Sequence, residues 1–214
     1  MVVSQGFKRG VYKSEFFRAF VLFNFSVIVI LISNAIVMGV GLRTDFTISR
    51  YVGLNLVTAV GFLISNVFVA RYMYLGFREL KKKLRLSDVW MIIGMIMLAM
   101  LILLSACPSG YFDKFMPTGE RSVVSEIHLL AAKGMFVLAI VSQVEVLVKL
   151  WKNRKMRGII LGFIVYGVTY VILYLTGSEI LKKFALILEW GFLEYYILVF
   201  VEMGREKIRR ENKK

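Results

Sequence analysis

Cysteine and histidine are almost absent from this sequence, which contains Cys107 and His128 as its single copies of each. One cysteine excludes an intramolecular disulfide, and the two residues together leave no set of ligands at metal-site spacing. The chain also contains no Ser-His-Asp order, no phosphate-binding glycine loop and no paired acidic metal motif. The sequence therefore predicts no cofactor and no metal, and it fits no familiar class of enzyme.

Acidic residues are also scarce, because 14 Asp and Glu stand against 28 Lys and Arg, which gives a net charge of +14. An excess of this size can indicate a nucleic-acid partner. Here, however, the basic residues are divided among four segments that flank apolar runs and do not form one face. We expect no nucleic-acid partner, and we expect attraction to anionic lipid headgroups of about 1 kcal/mol per basic residue near the membrane.

Apolar residues are abundant, at 58% of the chain, and they are gathered into six long stretches. Each stretch has about the ~20 residues that cross a ~30 Å hydrocarbon core as a helix. The predicted spans are residues 19–41, 51–75, 88–107, 128–150, 157–176 and 180–203. The first is too long for the apolar core of a cleaved signal peptide, about 7–15 residues, so we expect it to be retained. The sequence predicts an all-α polytopic membrane protein, a single six-helix bundle.

The basic residues lie almost entirely on one side of the predicted spans. The N-terminal segment, the second-to-third and fourth-to-fifth connectors and the C-terminal tail, with the adjoining span ends, contain 21 of the 28 Lys and Arg. The alternate connectors contain six, and the remaining one, Lys133, lies within the fourth span. Because basic loops stay in the cytoplasm, both termini are predicted to be cytoplasmic.

Four charged residues lie well inside predicted spans: Lys133 and Glu145 in the fourth, Glu189 and Glu194 in the sixth. Each costs at least about 2.5–3.5 kcal/mol on insertion scales, so each requires a partner or a function. The depths of Lys133 and the two sixth-span carboxylates agree to within about two helical turns. Two interpretations follow: an ion pair that fixes neighbouring helices, or a polar pocket in the outer leaflet. The long connector 109–127, with Tyr111, Phe112, Phe115 and Met116, would cover such a pocket.

The remaining polar residues of the fourth span have more local interpretations. Lys149 follows Glu145 by four residues, in the order that favours a pair along one helix. His128 shares a broad helix face with Ser142, Gln143 and Glu145. It is either an anchor at the outer membrane interface or a group that handles protons near neutral pH.

Two further polar groups mark connectors and helix contacts. The run Lys81, Lys82, Lys83 and Arg85 is either a solvated loop that enforces topology or a specific contact for anionic lipids. In the second span, Asn55, Thr58, Ser65 and Asn66 fall on one narrow arc. We expect this stripe to face other helices, where amides and hydroxyls find partners.

The region from the third span to His128, with the sixth span, resembles a six-helix prokaryotic membrane family catalogued as domain of unknown function 998. The similar elements are a span that ends near proline (Leu104-Ser105-Ala106-Cys107-Pro108), Ile127-His128 opening the fourth span, and a Gly-x-x-Glu element at Gly191–Glu194. Cys107 departs from the bulkier apolar residue expected before the proline. The resemblance implies six spans, cytoplasmic termini and importance for Pro108, His128 and Glu194, and it supplies no established reaction.

The leading functional hypothesis is a protein of a prokaryotic plasma membrane that binds a lipid or small amphiphile in an outer-leaflet pocket between the fourth and sixth spans. A second hypothesis is a lipid-modifying enzyme in which His128 and a carboxylate such as Glu194 act on one substrate bond. A third is a small transporter with a polar path from Lys133 through Glu194 towards Glu145. A structural membrane subunit is the fourth, and it predicts that every buried charge is paired.

Overall fold

The computed structural model of the protein describes residues 14–39, 41, 43–108, 117 and 122–211, and within these ranges every regular element is a helix. The helices are α1 (Glu15–Met38), α2 (Ile48–Val52), α3 (Leu56–Leu84), α4 (Asp88–Ala106), α5 (Val123–Lys149), α6 (Arg154–Leu175) and α7 (Glu179–Glu211). All except the short α2 are long and apolar enough to cross a membrane. The prediction of an all-helical chain with six candidate membrane spans is therefore confirmed.

Short polar side chains fix where most of these helices begin. Asn55, Ser87, Ser122 and Asn153 each precede a helix and accept a hydrogen bond from a backbone N–H in its first turn. Such caps satisfy donors that the helix itself leaves unpaired. The Asn55 cap explains why α3 begins at Leu56 and not at 51, as the hydropathy predicted. The Ser122 cap starts α5 at Val123, so His128 lies in the second turn of the helix and is buried.

The six long helices form a closed ring. Each packs on the next one along the chain, and α7 packs on α1 to complete the circle. Large apolar side chains point outward from every long helix, including Phe25, Val57, Val89, Leu130, Val165 and Ile187. An exposed apolar belt of this kind is the surface expected of a protein surrounded by lipid.

Polar side chains join neighbouring helices across the ring. Ser65 of α3 bonds to Ser26 of α1, and the Asn66 amide donates to the Ser105 hydroxyl of α4 at 2.7 Å. Asn55 donates to the Asn34 amide oxygen at 3.1 Å. These contacts confirm that the polar stripe of the second predicted span faces other helices.

The segment between α1 and α3 packs against the start of α7. Phe184 has non-helical backbone angles, which frees the N–H of Leu186 from the helical ladder of α7. That N–H donates to the Thr44 carbonyl at 3.0 Å. On the exposed side of the segment, the Arg43 guanidinium donates two hydrogen bonds to Asp45 and holds the pKa of that carboxyl below its usual value.

Candidate functional site

A cavity of about 40 Å³ lies inside the ring of helices. Side chains from α1, α3, α4, α5 and α7 line it, among them Phe23, Met73, Met97, Met135, Leu193 and Tyr196. A cavity that holds a single water needs a volume of roughly 10–15 Å³ and several polar partners for that water. Because its wall is almost wholly apolar, the cavity suits a few carbon atoms better than a cluster of waters.

The helix α6 closes the cavity from outside without lining it. The rings of Phe136 on α5 and Phe192 on α7 meet edge to face, 4.8 Å apart, beneath α6. From α6, Phe163 packs against Phe192 with the rings tilted and their centroids 5.1 Å apart, and Tyr170 meets Phe136 edge to face at 4.9 Å. These aromatic contacts seal the seam between α5 and α7.

Tyr196, one of the lining residues, is held in place through its hydroxyl. Tyr196 lines the cavity, and its hydroxyl lies 3.1 Å from the Ser142 hydroxyl on α5. The Ser142 carbonyl in turn accepts a 2.7 Å hydrogen bond from the Trp90 indole of α4. Three helices thus hold this polar group in a fixed position.

Gln143 lies beside this group with its amide unused. The residue is 0% exposed, and neither Oε1 nor Nε2 has a hydrogen-bond partner among the described residues. Its amide is near the Tyr196 hydroxyl but outside hydrogen-bonding geometry. A buried polar group left unsatisfied costs about 1–3 kcal/mol. Asn66, one turn from the lining residue Val69, likewise leaves its Oδ1 unpaired within the described part of the chain.

The structure does not bring Lys133 to the carboxylates of α7. The Lys133 ammonium lies 5.8 Å from the centroid of the Tyr174 ring on α6. Among the described residues it makes no ion pair with Glu189 or Glu194. The pairing suggested by matching depths is wrong because equal depth does not fix the direction in which a side chain points around its helix.

Each of the other charged positions has its own surroundings. The buried Glu189 carboxylate accepts a 2.7 Å hydrogen bond from the Ile48 N–H, in the segment between α1 and α3. Glu194 is half-buried, with no hydrogen bond or ion pair to a described residue. Glu145 accepts hydrogen bonds from the backbone N–H and the hydroxyl of Ser87, at 2.7 and 2.6 Å, and so holds the start of α4. The sequence had predicted Lys149 as its partner instead.

His128 joins α5 to the end of α4. Its Nδ1 lies 2.6 Å from the Cys107 carbonyl oxygen and 3.1 Å from that of Leu104. Both neighbours are acceptors, so Nδ1 must carry the proton and donate. The ring is buried and supports a helix end.

The basic run at the end of α3 is partly neutralised. Lys81 pairs with Asp88, and Lys83 pairs with Glu79. Lys82 and Arg85 are exposed, and Arg85 ends α3 in the left-handed region, at φ 52°. The predicted lid residues Tyr111, Phe112, Phe115 and Met116 lie outside the described residues.

Neither the Tyr196 hydroxyl nor this cavity is predicted from the sequence. The sequence did place Ser142 and Gln143 together on one face of the fourth span, and that was the available signal. The part of the chain that the structure describes holds no group of three His, Cys, Asp or Glu able to bind a metal. No family model, no curated protein and no solved structure matches this chain. The resemblance to domain of unknown function 998 therefore stays a prediction.

Proposed function

We propose that this multi-pass membrane protein binds the apolar part of a lipid or small amphiphile in the cavity inside the ring of helices. The observation that supports this most is the apolar cavity inside the ring, with the buried Gln143 amide close by and unpaired. Together they suit a molecule with an acyl-like body and one hydrogen-bonding end. The site differs from the one expected from sequence because Gln143 and Tyr196 replace Lys133, Glu189 and Glu194 as its polar groups.

The volume of the cavity limits the size of the ligand that it can hold unless its side chains move. At about 40 Å³ it admits only the end of a chain. Three of its walls, however, carry methionine: Met73, Met97 and Met135. Methionine has three rotatable bonds and fills irregular space readily, so these walls can move aside without a shift of the helices.

Photo-crosslinking tests this proposal directly. The probe is a palmitic acid analogue with a mid-chain diazirine, added to the full-length protein in lipid nanodiscs. We expect crosslinks on Met135 and Leu193, located by peptide mass spectrometry. Ala139→Leu, which fills the cavity wall, should abolish them, whereas Ala99→Leu on the exposed face of α4 should not. Crosslinks confined to outward residues such as Ile187, unchanged by Ala139→Leu, would contradict the proposal.

Replacement of the Gln143 amide provides a second test of the proposal. Gln143→Leu removes an unpaired buried amide, so it should preserve or raise resistance to unfolding. It should nevertheless reduce capture of the fatty-acid probe, since the polar end loses a partner. A variant that is more stable and also captures the probe equally well would show that Gln143 plays no part in binding.

We also propose that the protein lies in the plasma membrane of a prokaryote with both termini in the cytoplasm, as the distribution of basic residues favours. The single native cysteine allows a test, because Cys107 follows the end of α4 on the opposite side from the termini. A membrane-impermeant maleimide should label it from outside intact cells. Burial raises the pKa of the Cys107 thiol, so labelling should accelerate as the pH becomes alkaline. Labelling only after the membrane is opened would reverse the orientation.

A further inference from the structure

Among the described residues, the turn between α5 and α6 is the charged surface with the greatest excess of basic over acidic residues. Residues 149–157 contain Lys149, Lys152, Arg154, Lys155 and Arg157, and no Asp or Glu occurs between Glu145 and Glu179. Of the five cations, Lys155 pairs with Glu202 of α7 at 2.8 Å. The other four make no ion pair with a described residue. The nearest preceding acid, Glu145, is already bonded to Ser87.

An exposed tryptophan stands in the middle of these charges. Trp151 is 52% exposed, and the Arg157 guanidinium lies 5.1 Å from the centroid of its ring. Tryptophan at such a position is typical of the membrane–water interface, where the ring lies at headgroup level. The stack also holds the Arg157 side chain in place, so less entropy is lost when it binds an anion.

The placement of these cations is unfavourable for the start of α6. The first turn of α6 contains Arg154, Lys155 and Arg157 and no acidic residue. Positive charge at the N-terminus of a helix opposes the helix dipole. By contrast, α1, α4, α5 and α7 each have an acidic residue in the first turn. An external anion at the turn would relieve this repulsion.

The other basic connector is a weaker candidate for the same role. In the last turn of α3, two of the three lysines are already paired, with Glu79 and Asp88. No tryptophan is exposed beside it, since Trp90 is buried. The contrast distinguishes two surfaces that the sequence alone presents as similar basic runs.

We propose that the α5–α6 turn, formed by Lys149, Trp151, Lys152, Arg154 and Arg157, binds the headgroup phosphates of anionic phospholipids in the adjacent leaflet. The guanidinium groups of Arg154 and Arg157 suit the phosphate oxygens, and Trp151 anchors the turn at headgroup depth. None of these residues lines the cavity inside the ring, so this proposal is independent of the proposed amphiphile binding.

The test compares two variants that remove equal charge from the same side of the membrane. The turn variant carries Lys149→Gln, Lys152→Gln, Arg154→Gln and Arg157→Gln. The matched control carries Arg78→Gln, Lys82→Gln, Lys83→Gln and Arg85→Gln. The labelling of Cys107 verifies that both variants insert in the wild-type orientation, and only protein that passes this check is compared.

The readout is the retention of phosphatidylglycerol by the full-length protein, measured by native mass spectrometry from vesicles of phosphatidylcholine with phosphatidylglycerol. A basic residue near the surface contributes about fivefold to anionic-lipid attraction, so the turn variant should lose at least about tenfold in retention. The control variant should lose clearly less. Equal losses in both variants, or no preference for phosphatidylglycerol in the wild type, would overturn the proposal.

A separate arm distinguishes a lipid headgroup from a free anion. Wild-type protein in phosphatidylcholine alone is given inorganic phosphate, and its thermal stability is compared with that in phosphatidylglycerol vesicles. Stabilisation by phosphatidylglycerol alone supports the headgroup site. Equal stabilisation by free phosphate would mean that the turn binds a soluble anion, and the lipid proposal would be wrong.

Discussion

The Glu189 carboxylate accepts a 2.7 Å hydrogen bond from the backbone N–H of Ile48, which is 141 residues away in the sequence. Close by, the Thr44 carbonyl accepts from the Leu186 N–H. The segment between α1 and α3 and the start of α7 thus exchange hydrogen bonds in both directions, close to the kink of α7 at Phe184. This contact gives Glu189 a structural role that requires no cation. Lys133 takes no part in it and lies over the Tyr174 ring.

Replacement of Glu189 should expose this role. Glu189→Ala removes the acceptor and leaves the buried Ile48 N–H unpaired, so we expect a loss of about 1–3 kcal/mol in the free energy of unfolding. Glu189→Gln keeps an acceptor oxygen and should lose clearly less. Unfolding in mixed detergent–SDS micelles provides the measurement, with Glu194→Gln on the same helix as the control. Equal destabilisation by Ala and Gln would show that the hydrogen bond contributes nothing.

Lys133 and Glu189 should behave as independent sites. Because they form no ion pair, the effects of Lys133→Met and Glu189→Gln on unfolding should add to within about 0.3–0.5 kcal/mol in the double variant. Lys133→Met with Tyr174→Leu is the positive comparison, since a cation over an aromatic ring is worth about 0.5–1 kcal/mol at an exposed site. Rescue of one single variant by the other in the Lys133–Glu189 pair would restore the ion-pair hypothesis.

His128 should be replaceable by the amide that reproduces its donor. The Nδ1–H donates to carbonyls at the end of α4, and the Asn side-chain amide reaches nearly the same position. We expect His128→Asn to retain most of the stability that His128→Ala loses, about 1–3 kcal/mol. His128→Gln, whose amide extends further, should rescue poorly. If instead all three variants unfold at the wild-type SDS fraction, the contact between α4 and α5 does not depend on this ring.

Two glycines of α6 should respond in opposite ways to alanine. A methyl group at Gly167 would lie 2.8 Å from Ile140 and 2.9 Å from Phe192, within the aromatic seal over the cavity. Overpacking of this kind costs about 1–3 kcal/mol. At Gly158 the methyl group would meet nothing within 4 Å, so the gain in helix stability of about 0.5–1 kcal/mol should dominate. The same unfolding assay compares them, and destabilisation by Gly158→Ala equal to that by Gly167→Ala would contradict the packing of α6.

Hydropathy determined the class of this protein from sequence. The six spans were visible because a membrane requires about ~20 consecutive apolar residues, which is a local property of the chain. The polar stripe around Asn66 was predictable for a similar reason, since buried polar groups in lipid must face protein. The short α2 and the start of α3 at Leu56 were missed because hydropathy is averaged over a window and does not register a single Asn cap.

Only the tertiary structure decided which side chains meet. The partners of Lys133, Glu189, Glu145 and His128 are Tyr174, Ile48, Ser87 and the end of α4, and each lies on a different helix or segment. Sequence gives the depth of a residue in the membrane, because depth follows from the rise per residue. It does not give the rotation of each helix about its axis or the order of helices around the ring. Those depend on the packing of all six helices at once, and they determine that Gln143 and Tyr196 lie together beside the cavity.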